Sequence, residues 1–144
     1  KFFDTVCQSK LIEVLSRTVK DGRVISLIHK YLNAGVVANG KFEHTEVGMP
    51  QGGLLSPLLS NIMLNELDKE LESRGHRFVR YADDCMIFCK SRKSAERTLE
   101  NIIPFIEGKL FLKVNRKKTK VAHISKVKYL GYTYYRYKGT TKRN

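Results

Sequence analysis

The chain has 144 residues, and its 27 Lys and Arg outnumber its 14 Asp and Glu, which gives a formal net charge of +13. A hydrophobic fraction of 42% excludes a disordered chain and is enough for one domain with a core. No apolar run reaches the length of a bilayer span. The charge predicts a nucleic-acid partner, because Lys and Arg that neutralise the phosphates of a polyphosphate backbone release its condensed counterions into solution. A merely solvated basic surface is the alternative that charge alone leaves open.

The cysteines and the start of the chain indicate its setting. Cys7, Cys85 and Cys89 form no disulfide framework, and their odd number suits a reducing cytosol. Cys85 and Cys89 lie about 13 Å apart at strand rise, too far to chelate one zinc ion, so we expect packing thiols. The first ten residues, KFFDTVCQSK, have no signal-peptide character and no initiator Met, so we expect a piece of a larger protein.

Two helices are predicted in the first quarter of the chain. Apolar residues recur at helical spacing in SKLIEVLSRTVK, from Ser9 to Lys20, with Ser9 as the N-cap. After Asp21 and Gly22 the same spacing returns in RVISLIHKYLNAG. Further on, Asn39-Gly40 between VVA and KFEHTEV predicts a hairpin turn.

The middle of the chain predicts a long helix and a hairpin. In SPLLSNIMLNELDKELESRG, Ser56 is the expected N-cap, Pro57 takes the first helical position, and an apolar face ends before Gly75. A strand, a turn containing two acids and a second strand follow in RFVRYADDCMIFCK.

The last third predicts one more helix and a set of strands. Ser94 is the expected N-cap of a helix that runs to about Leu110, with Pro104 kinking or splitting it. KVAHI and KYLGYTYYRY are typical of strands, and only the final KGTTKRN resembles a linker. This order of elements predicts an α+β fold in which helices cover one face of an antiparallel sheet.

Asp83 and Asp84 are adjacent in the turn of the predicted hairpin. An Asp at a hairpin tip is often explained by turn geometry alone. Here the flanking residues are apolar, and two adjacent carboxylates repel each other and resist desolvation unless they share a cation. Carboxylate oxygens are the ligands that Mg²⁺ prefers, with phosphate oxygens and water completing its coordination. In a chain of charge +13, this pair points to phosphoryl transfer on nucleic acid.

Several sequence blocks together resemble a known family. YADD in a strand-turn-strand follows GMPQGGLLSPLLSNIMLNELDKEL and precedes LKVNRKKTK and KYLGY. These blocks, in this order over nearly the whole chain, resemble the palm of a reverse transcriptase, a part of the polymerase right-hand fold. The block around PQGG resembles most the bacterial group II intron-encoded, maturase-type class. Residues 1–144 are therefore expected to be a palm fragment without the N-terminal part of the fingers and without the thumb.

The resemblance implies a catalytic pair and a leaving-group lysine. Asp83 and Asp84 match the residues that hold two Mg²⁺ ions, with Mn²⁺ as an alternative ion. Lys118, directly before Thr119 in NRKKTK, matches the lysine that neutralises the departing pyrophosphate. A solvated basic strand end is the alternative for this segment, and it suits Arg116 and Lys117 better.

The resemblance also implies residues that contact the nucleotide and the primer. Phe3 is expected to exclude the 2′-hydroxyl of a ribonucleotide, and Tyr81 to pack beneath the primer end. The segment that lines the incoming nucleotide is Pro50, Gln51, Gly52 and Gly53, where glycines allow close approach. The segment that grips the primer backbone is Tyr129, Leu130 and Gly131. A plain turn is the alternative for PQGG, and core packing is the alternative for Phe3.

By the same resemblance, the parent protein copies an RNA template from a DNA primer with dNTPs, binds group II intron RNA and works in the bacterial cytoplasm without a membrane. The family's first catalytic Asp precedes the paired phenylalanines, and Asp4 follows them. We therefore expect the 144-residue chain alone to polymerise nothing. A maturase module that only binds RNA, and a retron-like or diversity-generating reverse transcriptase, remain open. The oligomeric state is unknown from the sequence.

Overall fold

The computed structural model describes residues 4–38, 41–43, 48–49, 53–137 and 140–143. Its elements alternate short helices with antiparallel hairpins. In chain order they are α1 (Gln8–Thr18), α2 (Gly22–Leu32), β1 (Val36–Ala38), β2 (Lys41–Glu43), α3 (Ser56–Ser73), β3 (Arg77–Tyr81), β4 (Asp84–Phe88), α4 (Arg92–Gly108), a 3₁₀ turn (Ile124–Lys126), β5 (Lys128–Tyr129), β6 (Tyr132–Tyr137) and β7 (Thr140–Arg143).

The core lies between helices α1, α3 and α4. Leu11 of α1 and Met63 and Leu71 of α3 are fully buried, and Ile102 of α4 packs into the same cluster. Each such side chain contributes roughly 1.5–3 kcal/mol through removal from water. In the part of the chain that the structure describes, no helix is both long and apolar enough to cross a membrane.

The strands confirm the predicted α+β class and, within the described residues, form three antiparallel sheets. Strand β1 pairs with β2, β3 with β4, and β5, β6 and β7 pair in that order. Phe78 lies opposite Ile87 in the β3–β4 hairpin, and both pack against the helical core. This contact places one face of the hairpin on the helices, as the sequence predicts.

Three predicted N-caps are one to three residues away from the observed ones. The cap of α1 is Cys7 instead of Ser9, and Gln8 is buried with its amide donating to the carbonyls of Leu32 and Gly48. This tertiary anchoring explains the earlier helix start. Residue Leu55 caps α3, because the hydroxyl of Ser56 lies inside the fold, 3.1 Å from that of Tyr31.

The fourth helix begins earlier than predicted and is not split. Ser91 is its N-cap and accepts a hydrogen bond from the backbone N–H of Ser94. Pro104 lies inside an unbroken α4, since its neighbours Ile102 and Ile103 are buried and hold the helix against the core.

Two expectations for the tail were wrong. Residues 120–124 were predicted as a strand, but the chain is irregular there until a 3₁₀ turn begins at Ile124. The side chain of His123 caps that turn by accepting from the N–H of Ser125. The final segment, predicted as a linker, contributes β7, which pairs with β6 because the preceding tyrosine-rich strand offers an open edge.

Candidate active site

The acidic pair lies at the tip of the β3–β4 hairpin. Tyr81 pairs with Asp84, so Ala82 and Asp83 form a two-residue turn. Ala82 has φ 50°, a positive angle at the first central position, as in a type II′ turn. An L-residue in this region costs about 1–2 kcal/mol. The tip is therefore a strained turn that surrounding contacts must hold.

Asp83 and Asp84 are exposed and make no ion pair or side-chain hydrogen bond with the described residues. Six other acids are instead paired with Lys or Arg: Glu13, Glu66, Asp68, Glu70, Glu96 and Glu107. In so basic a chain, two adjacent unpaired carboxylates keep their oxygens available. Their hard oxygen donors suit a divalent cation such as Mg²⁺. Within the described ranges, no three His, Cys, Asp or Glu side chains form a metal-holding group.

Arg80 connects the acidic turn to α3. Its Nη1 donates to the carbonyl of Ala82 at 2.9 Å and to Asn61 at 3.0 Å. Its Nε and Nη2 both bond the carboxylate of Asp68, at 2.7 and 2.5 Å. The two charged side chains are only 12% and 19% exposed. This bidentate pair raises the pKa of Arg80, mainly through the hydrogen bond to Asp68, and fixes the backbone directly before Asp83.

The β5–β6 hairpin contacts the acidic hairpin from a second side. The hydroxyl of Tyr129 donates to the carbonyl of Asp84 at 3.2 Å. Desolvation at this contact raises the pKa of the phenol. Leu130 and Gly131 link the two strands at φ 51° and 85°, as in a type I′ turn. The predicted primer-gripping segment thus lies beside the acidic pair.

Cys85 follows the acids on β4, opposite Arg80. Although the residue as a whole is exposed, desolvation of its sulfur raises the pKa of the thiol to about 11. The nearby carboxylate of Asp68 acts in the same direction. The thiol is therefore neutral at physiological pH.

Gly53 is packed against the fold. A Cβ at this position would lie 1.9 Å from the hydroxyl of Tyr31 and 3.1 Å from Oγ of Ser56. The carbonyl of Gly53 accepts from the backbone N–H of Ser56 at 3.1 Å. A glycine is required here because the loop backbone touches α2 and the start of α3. This packing inside the protein could not be seen from the neighbouring sequence.

Lys118 lies in a turn after α4. Oδ1 of Asn115 accepts from the backbone N–H groups of Lys117 and Lys118, both at 3.2 Å. The Lys118 side chain is exposed and makes no ion pair with Asp83 or Asp84. The turn therefore presents a lysine to solvent without joining it to the acidic pair.

Of the remaining predicted site residues, the structure describes one and not the other four. Tyr81 is 64% exposed at the end of β3, next to the acids. Phe3, Pro50, Gln51 and Gly52 lie outside the described residues.

Sequence reasoning missed Arg80, Asp68 and Tyr31 as parts of the site. The only local signal was the Arg in RYADD, since its partner Asp68 is twelve residues away on another element. Partners at this separation are set by how β3 folds back on α3, which periodicity does not report.

Comparisons with known proteins relate this chain to one family. Residues 1–134 match the family described as reverse transcriptase (RNA-dependent DNA polymerase). Protein YkfC of Escherichia coli is 32% identical over 86% of this chain and 42% of its own length. The group II intron-encoded protein LtrA of Lactococcus lactis is 29% identical over 99% of this chain and 35% of its own. A chain of the solved "Partial Cas6-RT-Cas1--Cas2 complex" shares 30% identity over 75% of this chain and 21% of its own, with a TM-score of 0.43.

The match with LtrA extends over 208 residues, more than this chain contains, so the matched region of LtrA includes residues without a counterpart here. The chain spans less than half of the length of these two curated relatives. The family match nevertheless covers almost every residue, including the acidic hairpin and the β5–β6 turn. On these grounds, the chain belongs to the reverse transcriptase (RNA-dependent DNA polymerase) family.

Proposed function

We propose that this chain is the palm of an RNA-directed DNA polymerase from a group II intron-encoded protein. The observation that carries the proposal is the pair Asp83 and Asp84, which is exposed and, among the described residues, unpaired, on a hairpin held by Arg80 and Tyr129. The family match over residues 1–134 supports it, as does the similarity to LtrA. A module that only binds RNA would not need two carboxylates kept free of the surrounding cations.

In this proposal, Asp83 and Asp84 hold two divalent ions, Mg²⁺ in the cell and Mn²⁺ as an alternative. Bound there, the ions would activate the primer hydroxyl and stabilise the leaving pyrophosphate. Tyr81 supports the primer end, and Lys118 neutralises the departing pyrophosphate. The turn at Leu130 and Gly131, with Tyr129, grips the primer backbone. Phe3 and the segment Pro50, Gln51, Gly52 and Gly53 line the nucleotide.

The proposed partners follow from this chemistry. An RNA template, a DNA primer and dNTPs are the substrates, and group II intron RNA is the further partner, by similarity to LtrA. Three free thiols fit a reducing bacterial cytoplasm as the proposed location.

Primer extension by the intact protein that contains this chain tests the proposal. An RNA template with an annealed DNA primer and dNTPs should yield complementary DNA with Mg²⁺ and none with EDTA. A template of DNA in the same sequence serves as the comparison. RNA binding without any synthesis, at all Mg²⁺ and Mn²⁺ concentrations, would instead favour the binding-only alternative.

We further propose that the 144-residue polypeptide alone is inactive. It carries two of the three carboxylates that the resemblance assigns to the metal site, and without the third the site would hold the ions less completely. The measurement is primer extension by the 144-residue polypeptide beside the intact protein at equal concentration. Robust Mg²⁺-dependent synthesis by the short polypeptide would contradict this expectation.

A further inference from the structure

A polar cleft of about 240 Å³ lies at the end of the β3–β4 hairpin that is remote from the acidic turn. Its walls come from the C-terminus of α3, the start of β3 and one face of α4. The lining residues are Arg74, His76, Ser94, Arg97, Thr98 and Asn101. Because β3 has five residues, the cleft is separated from the acidic turn by roughly 15 Å at strand rise.

Among the residues that the structure describes, the cleft is lined by hydrogen-bond donors and by no carboxylate. Arg97 makes no ion pair or side-chain hydrogen bond with the described residues. Arg17, Arg74, Arg80, Arg92 and Arg116 are all paired with an acid, whereas Arg23 and Arg77 share the unpaired state of Arg97 among the described residues but do not line the cleft. Unpaired Arg97 therefore presents a complete guanidinium fork to the cleft.

The other lining groups add to the positive and polar character. Arg74 keeps an ion pair with Glu70 through Nε and Nη2, which leaves its Nη1 for a ligand. The side-chain amide of Asn101 donates one N–H to the carbonyl of Arg97 at 2.8 Å, and its oxygen remains available as an acceptor. The hydroxyl of Ser94 is both donor and acceptor. An oxyanion beside a hydroxyl-bearing sugar fits this set of groups.

We propose that this cleft binds a backbone phosphate of an RNA strand. Arg97 donates to the phosphate in a bidentate arrangement, and Arg74 adds a second cation. Asn101 and Ser94 lie one helical turn on either side of Arg97, so each can pair with the 2′-hydroxyl of a different ribose, one on each side of the phosphate; this group is a donor and an acceptor that DNA lacks. The proposal rests on the proposed function, since it assumes that this protein handles RNA. It adds an RNA contact outside the catalytic hairpin.

Arg97→Gln in the intact protein tests the cleft. Affinity for a single-stranded RNA is measured in EDTA at several salt concentrations, so that no metal at the acidic pair contributes. We expect Arg97→Gln to weaken binding about tenfold, the effect of one charged hydrogen-bonding partner. The slope of log affinity against log salt should fall by about 0.7, the value for one phosphate of a single strand.

Arg92→Gln is the matched control. Arg92 is on the same helix and its loss changes the net charge equally, but its side chain is 85% exposed and pairs with Glu96. We expect less than a twofold change for it. Equal small effects of the two variants would overturn the proposal, because general charge alone would then explain binding. The proposal would also be overturned if inorganic phosphate bound at Arg97 but Arg97→Gln left the affinity for RNA unchanged.

The two proposals fail separately. Asn101→Leu should reduce the preference for RNA over DNA of the same sequence, and an unchanged preference would contradict the assignment of the sugar contact. If the Arg97→Gln protein extends primers normally at saturating RNA but binds RNA weakly, the result supports the proposed RNA contact in the cleft. If Asp83→Asn abolishes synthesis and leaves RNA affinity unchanged, the result supports the proposed catalytic pair and says nothing about the cleft.

Discussion

Single residues at the hairpin tips hold unusual backbone angles. Ala82 and Leu130 lie at φ 50° and 51°, where a side chain is disfavoured. Ala82 directly precedes Asp83, and Leu130 lies in the turn of the segment proposed to grip the primer. In both cases the strained residue lies next to a proposed contact with the substrate, which is where local strain is commonly found.

Gly53 gives a test of packing at the residue scale. Gly53→Ala places a Cβ 1.9 Å from the hydroxyl of Tyr31, so we expect a loss of about 1–3 kcal/mol in the free energy of unfolding. Tyr31→Phe removes that oxygen, so the same substitution should cost less in the Tyr31→Phe background. Urea unfolding of the four proteins measures this cycle. An identical cost in both backgrounds would show that Tyr31 is not the obstacle.

The control for this cycle is Gly22→Ala. No atom lies within 4 Å of a Cβ at Gly22, the first residue of α2. We expect a neutral or slightly stabilising effect there, because alanine reduces the entropy of the unfolded chain.

The cysteines allow a second test at this scale. A hydrogen bond from Ser9 lowers the pKa of Cys7, whereas desolvation raises that of Cys85 to about 11. The thiolate is the reactive form, so at pH 8 about one Cys85 in a thousand is reactive. Iodoacetamide labelling followed by mass spectrometry should modify Cys7 first, although Cys85 is the more exposed residue. Equal rates in the folded protein would contradict this order, and equal rates in urea are the control.

At the element scale, the hairpin β3–β4 depends on its connection to α3. Arg80→Gln breaks a largely buried pair and leaves Asp68 without its partner. We expect a loss of about 2–3 kcal/mol in stability. Because Arg80 also fixes the carbonyl of Ala82, the Mg²⁺ concentration for half-maximal primer extension by the intact protein should rise.

Arg77→Gln is the control for that experiment. Arg77 is on the same strand, exposed, and without an ion pair among the described residues. Its substitution should change stability by less than about 0.5 kcal/mol and leave the Mg²⁺ dependence unchanged. If both variants shift the Mg²⁺ dependence equally, the effect is one of charge and not of the Arg80 contacts.

Features set by residues close together in the sequence could be predicted, whereas features set by contacts between distant residues could not. The four helices and the acidic hairpin follow from local periodicity and turn chemistry, and all were predicted. The N-caps of α1 and α3 were misplaced because Gln8 and Ser56 are held by distant residues. The contact of Arg80 with Asp68 and Asn61 was not predictable, since it joins residues 12 and 19 positions apart.

For the whole molecule, charge and chemistry lie on different parts of the fold. The chain carries +13, yet in the part of it that the structure describes the pair at Asp83 and Asp84 has no Lys or Arg partner. The proposed RNA cleft is at the other end of the same hairpin. We infer that the basic surface gathers nucleic acid and that the acidic turn carries the chemistry.

The most direct measurement is primer extension by the intact protein carrying Asp83→Asn, with RNA affinity determined in parallel. Asn has nearly the same shape but lacks the charge proposed to hold the ions, so we expect synthesis to fall at least about a thousandfold with RNA affinity within twofold. Glu72→Gln removes an exposed acid that has no ion pair with any residue the structure describes, and it should leave both unchanged. Synthesis by Asp83→Asn at the wild-type rate would contradict the assignment of catalysis to this hairpin.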